Sequence, residues 1–327
     1  MARVYRMRAI QVSEFGGPEV LQLVELPEPA PTSQLARIRV AASGVNYADT
    51  HQAADDYLTP QQVPFVPGAE VVGTTDDGER VVALVSTGGY AEVALADPSA
   101  TFVLPDSVDD TTALALVLQG TTAWHLLRTC ARVTAGDTVV VVSAAGGVGS
   151  LAVQLAHEMG ASRVIATASR RDKRALAEEL GADVALEVGA DACADEVEEA
   201  IRSANGGKPV DVVLEMTGGP VFDGALAALA PFGRMVTYGM ASRVPPSPIQ
   251  ANRLIGSSRA VIGFWLVHAL RLPGGLRPAM EELVSLHTCG RLRVLDGGSY
   301  PLADARRAHE DLRARRTHGK LILDPTR

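Results

Sequence analysis

Between Thr138 and Ser169 the chain reads as four consecutive valines, a glycine-rich turn AAGGVG (Ala144 to Gly149), an amphipathic stretch from Ser150 to Met159 and a second apolar run, RVIATAS, from Arg163. A buried strand, a tight turn, a helix and another strand in that order make a βαβ unit. Its position between strand and helix separates this glycine cluster from a chance one. Without a Cβ in the way, backbone there can approach a pyrophosphate, and the N–H groups opening the helix offer donors to an anion. Ala145, Gly146, Gly147, Val148 and Gly149 are therefore candidate dinucleotide-binding residues. The alternative is a plain strand-to-helix turn.

The same rhythm continues downstream. Strands are expected to begin at Thr138, Arg163, Asp183, Val210, Gly233 and Arg259, with helices over Asp172 to Leu180, Ala194 to Ser203 and Val221 to Leu229. That layout fits an α/β, doubly wound parallel six-stranded sheet with the dinucleotide at its switch point. The first third has another texture: short β-like runs (Arg37 to Val40, Glu70 to Gly73, Arg80 to Leu84, Ala91 to Ala96) broken by Pro and Gly, as in a compact antiparallel barrel or partly open sheet. A helix from Arg277 to His287 and a closing segment, GKLILD, are expected to return to that first domain. Its boundaries are then 1–122 and 267–327, around a nucleotide domain at 123–266. A length of 327 residues suits two domains.

Where an NAD site places a carboxylate on the ribose, about twenty residues past the last glycine, stands Ser169, followed by Arg170, Arg171 and Lys173. A hydroxyl donor with cations suits a 2′-phosphate, so NADPH is the expected cofactor, held by Ser169, Arg170 and Lys173. The alternative is a solvated basic first turn paired with Glu178 and Glu179. Asp172 is the expected N-cap of that helix.

Lys+Arg 30 against Asp+Glu 38 gives a net charge of −8, with no basic stripe, which argues against nucleic acid. Arg3, Arg6 and Arg8 precede no apolar stretch of signal-peptide length, and no run is long enough to span a bilayer, so a cytoplasmic protein is expected. Cys130, Cys193 and Cys289 are far apart and without a CxxC, and are read as reduced thiols.

GVNYAD (Gly44 to Asp49), PGAE (Pro67 to Glu70), GGYAE (Gly88 to Glu92), LQGTTAWHLL from Leu118 and AAGGVG from Ala144 together resemble the medium-chain dehydrogenase/reductase superfamily. Within it the chain looks like the zinc-independent quinone oxidoreductase, or zeta-crystallin-like, branch. The resemblance implies a Rossmann domain joined to a β-rich, GroES-like catalytic domain. The superfamily's zinc alcohol dehydrogenases carry Cys and His metal ligands where this chain has Asn46 and Ala69; His51 and Glu70 alone make no site, so no metal is expected. Lacking a Lewis acid, such a site suits acceptors that delocalise incoming charge, and the resemblance implies NADPH-dependent reduction of quinones or α,β-unsaturated carbonyls.

The same resemblance implies roles for single residues. Asn46 would meet the substrate carbonyl or the nicotinamide ribose, Tyr47 and Tyr57 would line the substrate mouth, and Asp49 would buttress the loop. His51 stands where the quinone reductases usually have Tyr, and is a candidate proton relay. Gln119 and Thr122 would lie near the nicotinamide end, Tyr238 and Gly239 near adenine and ribose, Phe264 and Trp265 near the carboxamide, and Lys320 near the phosphates. Met240, Val188 and a shortened segment from Thr74 to Glu79 depart from the family pattern and bear on substrate identity. The apolar run RAVIGFWLV would leave an open sheet edge unless it pairs with a second copy, so a homodimer through the last strand is expected. An enoyl-thioester reductase, and a dinucleotide-bound regulatory or RNA-binding protein without turnover, are the alternative functions.

Overall fold

The computed structural model describes residues 5–189 and 191–327, so Arg3 lies outside the described residues. The chain divides into two compact units, one made of Met1–Gln119, Leu270–Cys289 and Val294–Arg327, the other of Gly120–Ala269 and Gly290–Arg293.

Unit one begins with an antiparallel pair, β1 (Arg6–Val12) and β2 (Leu21–Pro27). The ten-residue β3 (Ala36–Val45) leads directly into a short helix, α1 (Tyr47–Ala53). Four strands follow: β4 (Glu70–Thr75), β5 (Arg80–Leu84), β6 (Val93–Ala96) and β7 (Thr101–Val103), then a one-turn helix α2 (Asp110–Leu114) capped by the Asp109 carboxylate.

Unit two opens with α3 (Thr121–His125) and holds a six-stranded sheet of β8 (Thr138–Val141), β9 (Arg163–Thr167), β10 (Val184–Leu186), β11 (Val210–Glu215), β12 (Leu229–Thr237) and β13 (Ala260–Gly263). The strand order is β10-β9-β8-β11-β12-β13, every pairing parallel. This is the doubly wound Rossmann order, with its reversal between β8 and β11. Connecting helices are α4 (Gly147–Glu158), α5 (Arg171–Glu179), α6 (Ala194–Ala204) and α7 (Gly219–Ala227), with α8 (Ala251–Ser257) before β13 and α9 (Leu266–Ala269) after it. Val140, Ile165, Val213 and Met235 from the sheet pack with Val197, Ile201, Phe222 and Ala225 from the helices, all nearly without exposure. Valine-rich strands suit a sheet covered on both faces.

The chain then returns to unit one with α10 (Arg277–Thr288), β14 (Asp296–Pro301), α11 (Ala305–Arg313) and β15 (Lys320–Asp324). Its larger sheet runs β14-β15-β3-β4-β5-β7, with β6 also on β3. All pairs but β14·β15 are antiparallel. Strand β3 is therefore flanked at its C-terminal end by β4 and β15, whose first residues are Glu70 and Lys320.

Three local expectations are corrected. Strand β12 starts at Leu229 rather than Gly233, because Leu229 pairs with Val210 before a bulge that Phe232, at φ 64°, helps to turn. The apolar run from Arg259 is a strand only to Gly263: its last pairing is with Thr237, and Leu266–Ala269 is helical. Asp172 is not the cap of α5. Arg170 holds the N-cap position, and its guanidinium binds the Asp172 carboxylate at 3.0 and 2.8 Å.

Candidate functional site

In unit one the sequence GVNYAD turns strand β3 into helix α1. Asn46 is the N-cap, extended at φ −128° and ψ 156°, and the Asp49 carboxylate reaches back to accept its N–H at 2.8 Å, as the acidic member of a capping box does. The Asn46 amide is buried and engaged at both ends. Its Nδ2 donates to both oxygens of Glu70 at 2.8 and 2.7 Å, while its Oδ1 accepts from Lys320 Nζ at 3.3 Å and, more weakly, from Gln119 Nε2 at 3.4 Å. Lys320 and Glu70 form an ion pair whose side chains have no exposed surface.

Gly44 makes room for that pair. A Cβ at this position would run into the Glu70 carboxylate and the Lys320 ammonium, so the glycine of GVNYAD is set by the ion pair beside it. Lys320, expected at the cofactor phosphates, has its ammonium sealed against Glu70 and Asn46.

Beneath Asn46 runs a second chain of buried groups. Tyr90 donates its hydroxyl to Asp49 Oδ2 at 2.7 Å, and the same hydroxyl lies 3.1 Å from His309 Nε2 on α11. Asp49 Oδ1 has no hydrogen-bond partner. Burial, reinforced by the Glu70 charge, pushes the Asp49 carboxyl up to about 7, against the hydrogen bonds from Tyr90 and Asn46 and the charge of Lys320. Burial holds His309 down at about 3, so it is neutral at pH 7, and drives the Tyr90 hydroxyl well above its ordinary range.

His51 lies one turn along α1 from Asn46 and is 7% exposed, with its ring 5.5 Å from that of Tyr47. Its Nδ1 is 2.7 Å from Asp56 Oδ1. Tyr47 and Tyr57 are half-buried.

In unit two the turn after β8 is backbone built. Ser143 adopts a left-handed φ of 59° and its carbonyl accepts the Gly146 N–H at 3.0 Å. A Cβ on Gly149 would collide with that carbonyl and with Ala144 Cα, so the third glycine is dictated by helix packing on the turn. Helix α4 starts at Gly147, with Gly146 as an N-cap that supplies no side-chain cap and no acidic residue in the first turn. An end of this kind leaves backbone N–H groups and the positive end of the helix dipole to an anion.

Thr167 fixes the turn from β9: its hydroxyl accepts the Ser143 N–H at 3.3 Å and its carbonyl the Ala144 N–H at 3.0 Å. Beyond β9, Ser169 is half-buried, Arg170 exposed and Lys173 half-buried on the first turn of α5. Thr122 is buried on α3; two residues further along the chain, the Trp124 ring meets that of His125, which stacks on Phe264 with centroids 5.9 Å apart. Trp265 follows, its ring 5.3 Å from that of His268. Tyr238 and Gly239 leave the end of β12.

A residue that the sequence reading passed over, Glu215, ends β11. Its Oε1 accepts the N–H groups of Thr217 and Gly218 at 2.6 and 3.0 Å, its Oε2 is buried without a partner, and burial raises its carboxyl to about 7. The only signal was a carboxylate closing an otherwise apolar strand, VDVVLE. Tyr90 stands inside GGYAE, a motif that assigns it no role by itself, and His309 lies in no local pattern. Among the described residues no group of three His, Cys, Asp or Glu side chains is placed to hold a metal ion, and no helix is long and apolar enough to cross a membrane.

Residues 32–106 match the family model of the alcohol dehydrogenase GroES-like domain, and residues 147–285 that of the zinc-binding dehydrogenases. A quinone oxidoreductase of Rattus norvegicus is 32% identical over 97% of this chain and 97% of its own, and one from Pseudomonas aeruginosa is 31% identical over 97% and 99%. Among solved structures, a mycobacterial protein complexed with NADPH superimposes with a TM-score of 0.91 at 38% identity, covering 98% of this chain and all of that one. The Escherichia coli quinone oxidoreductase complexed with NADPH gives 0.89 at 30% identity, over 98% of this chain and all of the other.

Proposed function

The chain belongs to the quinone oxidoreductase branch of the medium-chain dehydrogenase/reductase superfamily, and on that premise we propose that it is a zinc-independent, NADPH-dependent reductase of quinones or α,β-unsaturated carbonyls. It is an oxidoreductase. Unit two would hold the dinucleotide and unit one the acceptor. The glycine turn fits a pyrophosphate: Ala145 to Gly149 would present backbone N–H groups to it, and the Cβ-free approach at Gly149 is already required by packing. Ser169, Arg170 and Lys173 would take the 2′-phosphate. The Arg170–Asp172 pair is open to solvent and costs little to separate. Thr122, Tyr238, Gly239, Phe264 and Trp265 are assigned to the rest of the cofactor. When bound, NADPH supplies a hydride.

The observation that carries the metal-free reading is the Asn46–Glu70–Lys320 cluster. Asn46 and Ala69 occupy the two ligand positions, an amide is a poor zinc ligand, and the neighbouring carboxylate is already neutralised by an ammonium. The fixed amide and His51, with Tyr47 and Tyr57, would then orient a flat acceptor, and His51 would return a proton to it. NADPH oxidation at 340 nm with a para-quinone, an ortho-quinone, a 2-enal and an enoyl-CoA tests the reading. Turnover confined to the thioester, or none at all, overturns it.

Strand β13 ends the sheet order, and near it Phe232 and Ile255 are 81% and 78% exposed. Pairing β13 with its copy about a two-fold axis would extend the sheet and make a homodimer. Light scattering at micromolar concentration should then report twice the chain mass. The three unpaired cysteines support a cytoplasmic protein.

A further inference from the structure

Helix α1 stops after Ala53 in an unusual way. Asp55 adopts a left-handed φ of 55°, and the His51 carbonyl accepts the N–H groups of both Ala54 and Asp56, each at 3.1 Å. An L-residue in that region costs about 1–2 kcal/mol, and such strain gathers where a fold needs a particular side chain delivered. What this turn delivers is the Asp56 carboxylate, brought back over the helix end to within 2.7 Å of His51 Nδ1. The two side chains differ in access: that of His51 is 9% exposed and that of Asp56 is 39% exposed. A shielded imidazole thus has a carboxylate behind it that remains in touch with water.

We propose that Asp56 is a positioning residue which holds His51 with its proton on Nδ1, so that Nε2 is the atom that passes a proton to the oxygen of a reduced quinone. The inference rests on the quinone reductase reading and assigns a residue that reading leaves without a role. Two electrons and one hydrogen reach the acceptor as hydride, leaving NADP⁺ and an anionic hydroquinone. One proton completes the hydroquinone: the N–H bond at His51 Nε2 breaks, an O–H bond forms, and the Nδ1–H bond to Asp56 stays intact throughout. His51 regains its proton from water. A carboxylate on the far nitrogen contributes by fixing tautomer and ring orientation and by stabilising the imidazolium, without becoming protonated itself.

The test uses the full-length protein with NADPH and 1,4-benzoquinone, and ¹⁵N-histidine spectra of the protein alone. Asp56→Ala is expected to lower kcat about tenfold, less than the roughly hundredfold or more that removing an acid–base group itself costs, because Asp56 acts through His51, and to leave the KM for NADPH unchanged. It should also raise the solvent isotope effect on kcat and shift neutral His51 away from the Nδ1–H form. Asp56→Glu should restore most of the rate. In a His51→Gln background, Asp56→Ala should cost nothing further, which a merely structural carboxylate would not reproduce. Equal kcat and isotope effect in wild type and Asp56→Ala overturn the relay alone, whether or not the tautomer shifts. No quinone reduction by the wild type overturns the reading beneath it and the relay together.

Discussion

The two units build their sites from different materials. In unit two the parts we assign to the cofactor are backbone: a left-handed Ser143, three glycines and the uncapped start of α4. In unit one the candidate site stands on buried side chains, Asn46, Glu70, Lys320, Asp49, Tyr90 and His309, with an ion pair among them. A backbone site needs little more than the absence of Cβ atoms and a helix pointed the right way. A buried side-chain site depends on charge balance, because each ion taken out of water must find its counterpart. The first is robust to most substitutions and fails at the glycines; the second fails when one partner is removed alone.

The largest expected effect lies in unit one. Lys320→Met leaves the Glu70 carboxylate buried without its cation and should lower stability to urea by about 3–5 kcal/mol, whereas adding Glu70→Gln should recover most of that loss. If the double variant is as unstable as the single one, shape rather than charge governs this cluster and the contrast with unit two collapses.

Next comes the pH dependence of the buried chain. Asp49 titrates near 7 when folded but near the ordinary carboxylate value when unfolded, so between about pH 4 and 7 the folded state holds a proton that the unfolded state releases. Its contribution to stability therefore falls as pH rises through that window, by about 4 kcal/mol at most. His309 works the other way: with its folded value at about 3, stability gained from it rises as pH climbs from 3 towards 6.5. The advantage of Asp49→Asn over wild type should thus grow between pH 4.5 and 7, as read from urea midpoints. An unchanging difference would place the Asp49 carboxyl in its ordinary range.

The backbone site answers to smaller changes in chemistry. Gly149→Ala places a methyl against the Ser143 carbonyl, and should weaken NADPH binding about tenfold, roughly 1.4 kcal/mol, in titration calorimetry. Smallest of all should be Arg170→Ala, an exposed cation, whose loss should reduce the preference for NADPH over NADH about threefold, in keeping with a surface charge contact. A Gly149→Ala protein that binds as tightly as wild type would mean that unit two does not owe its site to bare backbone.

This contrast also explains what could be read from the residues alone. The βαβ rhythm and the glycine turn are local, spanning a few dozen positions, so strand, turn and helix in unit two announce themselves through periodicity and small residues. The bulge in β12 was not visible, because it depends on the left-handed backbone of Phe232, whose N–H meets the Ser258 carbonyl just before β13. In unit one the relevant pairs are distant in sequence: Lys320 and Glu70 are 250 residues apart, and Tyr90 and His309 are 219 apart. By sequence Glu70 is a possible metal ligand and Lys320 a phosphate contact. Each has the right chemistry for the role proposed, and only the antiparallel placement of β4 and β15 on either side of β3 brings them together. The His51–Asp56 contact, by contrast, is five residues long and was hidden only by the left-handed turn at Asp55.

The interleaving of β15 between β14 and β3 has a consequence for how the protein is made. Lys320 leaves the ribosome 250 residues after Glu70, on the order of ten to fifty seconds later at typical rates of synthesis. Until then Glu70 has no cation to bury beside, and the first seven strands wait incomplete while unit two, contiguous but for a few residues, is free to form around its own valines.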